Sequence, residues 1–484
     1  MLRQIKLSAL IKAILIGWAM IISIYHLNIG IADNGDWGRT ILWFSDKPQD
    51  FSEFWPTDQF EYERRFFNYW IPTWDINFKF GEIFSSSLFI WLPGVILNYL
   101  LYSNTTLFIP IVSIIPRSLL IFLLYRFLVF IDKNTKNPIF FYLICGIPFT
   151  LLISTTDYLI FLNSFYQEIG TITFLLSIFI ISLDFFSSDN FSNRKVIFLY
   201  FLLVLLALAK PNNFYWPILY TFIQFFAGNK IKGKLSKFST FVLIIIVFIS
   251  SITSVTISRL PSSMSYTKYH TIFYGALTFS EHPETHLEKL GYDQAALSCI
   301  GKSGFHDQLC FEKYKDKTNL SQLFQIYFRE PEVFFSSVAF TASNMQNLSL
   351  DYLGKYQEGD DTQYRKIRLN LWSEIKKIIF PKGIFLLIIT ITIISILGFS
   401  LTKEKSNSQN TYGYLTIMFF SACVLEMIIS IIGDGRQELI KHLFSANLCF
   451  DLGAISFLGF VISKIIENKS LIITYITNKF VKGK

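Results

Sequence analysis

Long apolar runs, separated by short segments that carry the charges, constrain this chain more than any other feature. Of its 484 residues, 52% are hydrophobic and only 16% are charged, whereas about a quarter of the residues in soluble domains are charged. Inside a bilayer such runs form helices, because lipid offers the backbone no hydrogen-bond partner. The sequence therefore predicts an all-α polytopic membrane protein.

The basic residues predict how these runs are oriented. Segments such as 132–138, 228–237 and 402–410 are rich in lysine and should be cytoplasmic, because positive loops stay inside. The net charge of +8 thus indicates membrane orientation and not a nucleic-acid partner. The pattern is consistent if the apolar stretch 84–102 lies in the outer interface without crossing. About ten transmembrane helices remain, near 9–31, 107–131, 139–154, 169–186, 196–209, 214–226, 238–258, 381–401, 411–432 and 443–463.

This topology divides the chain into three units. Residues 1–258 form an N-terminal transmembrane module, whose first outer loop, 32–104, contains the predicted interfacial helices. Residues 259–380, between helices seven and eight, are long enough for a small extracytoplasmic domain. Residues 381–484 form a C-terminal transmembrane module.

The cysteines fall into two groups. Cys299 and Cys310 both lie in the segment 259–380, eleven positions apart, where an oxidising compartment would permit a disulfide. Cys145, Cys423 and Cys449 fall in predicted spans, where cysteine is typically a small packing residue.

The motif NGDWGR at 34–39 places acidic groups where the first helix meets the water outside. A carboxylate here, Asp36 or its neighbour Asp33, can act as a general base on a substrate that lies half in lipid and half in water. Arg39 is suited to a phosphate. The same composition is ordinary for a turn that leaves a membrane, so the motif alone leaves both interpretations open.

Lys210 begins the motif KPNN after a predicted helix of 14 residues. Such a helix is about 21 Å long, against a hydrocarbon core of about 30 Å. Lys210 should therefore lie below the outer surface and line a cavity, where an ionisable side chain suggests function. Snorkelling to the lipid headgroups is the alternative. Arg117, in the second span, is a further cation for a phosphate.

No phosphate-binding glycine-rich loop or nucleophile elbow occurs in the sequence. His282 and His286 have helical metal-ligand spacing, but Pro283 intervenes and no third ligand is evident. The sequence therefore predicts neither a metal site nor a cofactor.

Five segments, taken in order, resemble polytopic bacterial glycan hexosyltransferases of the GT-C superfamily, among them the phage-type O-antigen glucosyltransferases. The similarity extends over nearly the whole chain, although each motif is short. The segments are NGDWGR at 34–39, NSFYQE at 163–168, KPNN at 210–213, FYGAL with LEKLG between 273 and 291, and GDGRQELIKHLF at 433–444.

The resemblance implies transfer of one hexose from a polyprenyl-phosphate carrier to an extracytoplasmic glycan such as O-antigen, and glucose is the first candidate for the hexose. It implies Asp36 as the base, with Asp33 second. The lipid-linked donor, the acceptor glycan, membrane lipids and a companion donor synthase and flippase are the expected partners. The expected location is a bacterial inner membrane, with the active site facing the periplasm.

The remaining candidate residues divide by ligand. Three cations are expected to bind the donor phosphate: Lys210, Arg39 and Arg117. Six residues are expected to bind the acceptor or the sugar: Glu168, Asn163, Tyr166, Asp434, Glu438 and His442. The alternative role of Glu168 is to cap the N-terminus of the following helix. The alternative for Asp434, Glu438 and His442 is an ordinary helix-entry turn.

Two other functions remain open from the sequence. A transporter or flippase of lipid-linked sugars should show related halves with broken helices at matching positions, and no such halves are visible. An O-antigen polymerase would join two lipid-linked glycans and would use no single-sugar donor.

Overall fold

The structure is a computed structural model that describes residues 2–45, 70–79, 83–135, 137–187, 192–226, 237–257, 261–348, 350, 369–403 and 410–482. Within these ranges the structure is mostly helical, and each of the ten predicted spans contains a helix. Among the described residues, six helices are long and apolar enough to cross a membrane. A seventh crossing is formed if Pro138–Ile153 and Thr156–Asn163, which meet at a 44° bend, count as one span. The protein is therefore a multi-pass membrane protein, while the predicted count of about ten is not confirmed.

The elements follow one another as long helices joined by short ones. The helices before residue 260 are Leu2–Tyr25, Gly38–Ile41, Leu88–Leu101, Ile109–Val112, Ile114–Asn134, Pro138–Phe141, Tyr142–Gly146, Ile147–Ile153, Thr156–Leu159, Ile160–Asn163, Glu168–Ser187, Asn193–Ala209, Pro211–Tyr215, Trp216–Phe226 and Lys237–Ile257. The later ones are Pro261–Phe273, Ala276–Phe279, Pro283–Lys289, Gln294–Cys299, Gln308–Tyr314, Leu320–Arg329, Pro331–Asn344, Leu371–Ile379, Ile384–Lys403, Thr411–Asp434, Leu439–His442 and Phe444–Lys482.

The helix Leu88–Leu101, in the stretch predicted to lie at the interface, has 14 residues. At 1.5 Å per residue this is about 21 Å, too short to cross a hydrocarbon core of about 30 Å. Gly94 packs it tightly against the following turn, because a Cβ there would lie 2.1 Å from the carbonyl oxygen of Val112. Residues 46–69 and 80–82 of the first outer loop lie outside the described residues.

The first loop also contains a small sheet, which the all-α prediction missed. Strands Thr73–Asp75 and Thr106–Phe108 pair antiparallel. The Asn98 side chain supports the pair: its amide donates to the Thr106 carbonyl at 2.9 Å and accepts the Phe108 N–H at 2.9 Å. Extended segments this short have too few residues for a visible alternating pattern.

Residues 261–348, which we call the inserted domain, contain a hydrophobic core of their own. Its members come only from this part of the chain, from Tyr269 to Val333. A disulfide joins Cys299 and Cys310, the pair that the sequence predicts. The membrane helices and the first loop share the other, larger core, to which the end of the inserted domain adds Ala342, Met345 and Leu348.

The helix Leu371–Ile379 leads the chain back to the membrane helices and is fixed there by a buried ion pair. The ammonium of Lys376 lies 3.0 Å from a carboxylate oxygen of Asp451, and neither side chain is exposed. Tyr158 donates a further hydrogen bond to Asp451 at 3.0 Å. Buried pairs of this kind fix geometry more than they add stability.

Candidate functional site

Asp33 forms a tight turn at the start of the first loop. One of its carboxylate oxygens accepts the backbone N–H of Gly35 at 2.7 Å and that of Trp37 at 3.0 Å. Gly35 has a φ of 96°, which residues with a side chain rarely adopt. The turn therefore fixes the backbone that carries Asn34 and Asp36.

Asp36 lies between two cations. One carboxylate oxygen is 2.7 Å from the Lys441 ammonium, and the other is 3.1 Å from the Arg39 guanidinium. Lys441 is only 2% exposed and also pairs with Glu438. Glu438 in turn accepts a 2.7 Å hydrogen bond from the Asn34 amide. These contacts join the first loop to a turn some 400 positions later.

A second ion pair completes this group. The ammonium of Lys210 lies 2.7 Å from Glu168, with the side chains 12% and 4% exposed. The Tyr166 hydroxyl donates to the Ala32 carbonyl at 2.8 Å, and its ring lies 5.8 Å from the Lys441 ammonium. We call the six charged residues of this region the charge cluster: Asp36, Arg39, Glu168, Lys210, Glu438 and Lys441.

The two candidate bases differ in their basicity. Burial raises the pKa of Asp33 to about 7, and the hydrogen bonds from Trp37 and Gly35 oppose this only in part. Burial also acts to raise the pKa of Asp36, but the charges of Arg39 and Lys441 outweigh it and hold that pKa below its usual range. Asp33 therefore titrates near neutral pH, whereas Asp36 is ionised and neutralised by its neighbours.

Arg117 and Asn163, predicted to bind the donor phosphate and the sugar or acceptor, lie outside the charge cluster. The Arg117 guanidinium donates to the carbonyl groups of Ser23 and His26 and to the Asn163 side chain, at 2.8 to 2.9 Å. The Asn163 amide donates to three carbonyls near the end of the first helix, at 2.7 to 2.8 Å. Both residues are buried. Both side chains satisfy carbonyl groups that a helix end leaves without partners.

Asp434 and His442 form a neighbouring group with His270, which the sequence did not single out. Asp434 lies 2.9 Å from His270 Nδ1 and 3.4 Å from His442 Nε2. The N–H of Gly304 donates to His270 Nε2 at 2.9 Å, so the ring carries its proton on Nδ1 and donates it to Asp434. Through these contacts the three residues connect the inserted domain to the turn before Glu438. The described residues contain no group of three or more His, Cys, Asp or Glu side chains that could hold a metal ion.

Lys441 is the residue that the sequence analysis most clearly missed. It stands within the quoted motif GDGRQELIKHLF, three positions after Glu438, so its place on the same helical turn was visible. Its burial against Asp36 was not. Glu438 itself has a φ of 42°, the one positive value among the described residues other than glycine. Such strain occurs preferentially at functional sites.

Comparison with known proteins places the chain among membrane proteins without naming an activity. A profile of the family described as "YfdI N-terminal transmembrane domain" matches residues 1–482. The chain is 23% identical over 320 residues to "Uncharacterized protein YfdI" of Escherichia coli (strain K12). That match covers 63% of this chain and 66% of the relative, just under two thirds of its length. No solved structure gives a significant match.

Proposed function

The chain belongs to the YfdI N-terminal transmembrane domain family, and we propose that it is a membrane-embedded glycosyltransferase. It transfers one hexose, with glucose the first candidate, from a polyprenyl-phosphate carrier to an extracytoplasmic glycan such as O-antigen. The observation that carries the proposal is the charge cluster, in which carboxylates and cations from four distant segments meet at the end of the first membrane helix. The proposed location is a bacterial inner membrane, with the cluster on the periplasmic side.

In this reaction an acceptor hydroxyl attacks C1 of the donor sugar. The bond between C1 and the phosphate oxygen breaks, and polyprenyl phosphate leaves with the bonding electrons. A carboxylate takes the proton of the hydroxyl. Cationic side chains stabilise the charge that grows on the phosphate. The cluster offers both kinds of group within one site.

Asp36 is the first candidate for the base, and its ion pairs suggest how it is activated. Without a donor, Arg39 and Lys441 keep its pKa low. A donor phosphate that pairs with these cations draws them away from Asp36 and makes it more basic. Donor binding and activation of the base are then coupled.

Asp33 is the second candidate. With a pKa of about 7 it accepts a proton near neutral pH without any exchange of partners. One of its oxygens already holds the turn through Gly35 and Trp37. The other oxygen has no hydrogen-bond donor among the residues that the structure describes.

Lys210 and Glu168 are proposed to separate in the same way as Asp36 and its cations. Lys210 pairs with the phosphate, and Glu168 is then available to orient acceptor hydroxyls. Glu438 keeps Lys441 beside Asp36, while Asp434 and His442 hold the turn before it. Tyr166 supports the first loop through its bond to Ala32.

The test is transfer by the purified full chain in lipid nanodiscs. Polyprenyl-phosphate glucose carrying a radioactive sugar is mixed with a lipid-linked acceptor glycan, and label in the glycan is measured. Asp36→Asn should lower turnover by about 10² to 10⁴, the usual loss for a general base. The exposed surface residue Glu312 gives a matched control, because Glu312→Gln removes a carboxylate that pairs with Lys315, three positions away.

The outcomes separate the alternatives. Inactivity of Asp33→Asn alone moves the base to Asp33, and full activity of both variants refutes the mechanism. No labelled glycan from the wild-type chain, with label crossing the bilayer of a proteoliposome, points to a transporter. Joining of two lipid-linked glycans without a single-sugar donor points to a polymerase.

A further inference from the structure

Arg436 lies where the inserted domain meets the turn that carries Glu438. Its backbone N–H donates to the carbonyl of Tyr274 at 3.2 Å. The preceding residue, Gly435, packs directly on Gly275 and has a φ of 57°. The inserted domain therefore fixes the backbone from which the Arg436 side chain extends.

The Arg436 guanidinium stacks on two aromatic rings. Its central carbon lies 5.0 Å from the ring centre of Phe340 and 5.6 Å from that of Tyr274. A guanidinium stacked on an aromatic face keeps the N–H groups along its edge free for a bidentate anion. No acidic side chain among the described residues pairs with it.

The cations of the charge cluster, to which the same segment contributes Glu438 and Lys441, differ from Arg436. Each of these cations has a carboxylate partner: Arg39 pairs with Asp36, Lys210 with Glu168, and Lys441 with both Asp36 and Glu438. An anion that approaches these cations must first displace a carboxylate. Arg436, two positions before Glu438, presents a positive charge that requires no displacement.

We propose that Arg436 is a receptor for a phosphate-type oxyanion that enters between the inserted domain and the first loop. Bidentate N–H groups match the geometry of phosphate oxygens. The inference deepens the proposed function, because Arg436 would hold the phosphate of a lipid-linked substrate next to the cluster. Binding itself does not depend on sugar transfer.

The test measures binding by the full chain in nanodiscs of neutral lipid. Intrinsic tryptophan fluorescence is titrated with a short-chain polyprenyl phosphate, with inorganic pyrophosphate, and with the uncharged polyprenol. Arg436→Gln removes the charge, and Arg436→Lys keeps it without the planar fork. Arg329→Gln is the control, because Arg329 is an exposed arginine within the inserted domain. Thermal unfolding of each variant shows whether it is folded.

Arg436→Gln should weaken polyprenyl phosphate binding by about 10- to 100-fold, the usual effect of losing a charge-assisted hydrogen-bonded pair. Arg436→Lys should weaken it less, and polyprenol binding should not change with any variant. If pyrophosphate binds as tightly as the lipid and this binding is lost in Arg436→Gln, the result also supports the site. Its ligand is then a soluble anion.

Phosphate affinity of folded Arg436→Gln within threefold of the wild-type and Arg329→Gln values overturns the inference. This failure is distinct from failure of the proposed function. Wild-type protein that binds phosphate through Arg436 but transfers no sugar keeps the receptor and refutes the transferase. If the wild-type protein transfers sugar and Arg436→Gln binds the donor normally, the transferase is kept and the receptor role of Arg436 is refuted.

Discussion

Replacing Gly435 by alanine tests whether the inserted domain holds the turn that leads to Lys441. Gly435 has φ 57° and ψ −129°, a combination that residues with a Cβ avoid. A Cβ would lie 2.5 Å from the His270 carbonyl oxygen and 3.1 Å from backbone atoms of Gly275. The backbone conformation costs about 1 to 3 kcal/mol for alanine, and the overlap adds about 1 to 3 kcal/mol. Gly435→Ala should therefore lower the free energy of unfolding by roughly 2 to 6 kcal/mol.

Gly433 is the matched control, two positions earlier at the end of the same helix. A Cβ there meets nothing within 4 Å. Gly433→Ala should stabilise the protein by up to about 1 kcal/mol, because alanine favours a helix more than glycine does. Thermal unfolding in nanodiscs measures both effects, and the phosphate titration shows whether the displaced turn also weakens ligand binding. Equal unfolding temperatures for the two variants would falsify the tight contact between Gly435 and Gly275.

Three further outcomes are expected. The pKa of about 7 at Asp33 predicts that the free energy of unfolding falls as pH rises from about 4 to 7, because the folded state holds the proton more tightly than the unfolded chain does. Asp33→Asn should flatten this dependence when unfolding is measured at a series of pH values, and an unchanged curve contradicts the assignment. Cys299 and Cys310 should resist alkylation until a reductant is added, and replacing both by serine should cost about 3 kcal/mol of stability; equal alkylation without reductant rules the bond out. An impermeant maleimide should label a cysteine placed at Lys302 from outside the cell and not one at Lys133, and labelling at Lys133 contradicts the topology.

The helices were the most predictable part of the fold, since hydrophobicity over a long run is a local property. Their ends were less so: the last span was predicted at 443–463, but its helix extends over Phe444–Lys482. Apolar length alone does not reveal whether a short helix such as Asn193–Ala209 or Trp216–Phe226 crosses a membrane. Crossing also depends on the neighbouring helices and on local thinning of the bilayer.

The site was predictable only where it is local. Asp33 and Asp36 stand within one short motif, so their proximity follows from the sequence. The contact between Asp36 and Lys441 spans 405 positions and required the structure. The sequence predicts phosphate binding for Arg117 because its positive charge suits a phosphate. The sequence does not reveal that the guanidinium donates to backbone carbonyl groups near the end of the first helix.

The strained turn at Glu438 links the two ends of the chain. A φ of 42° costs about 1 to 2 kcal/mol for a residue with a side chain, and the bonds of Glu438 to Asn34 and Lys441 offset that cost. The same turn is held from the other side by His270 on Asp434 and by Gly275 on Gly435. The first loop and the inserted domain therefore stabilise one conformation of this turn together. A ligand that pulls Lys441 from Glu438 weakens one of these supports and so acts on the inserted domain as well as on Asp36.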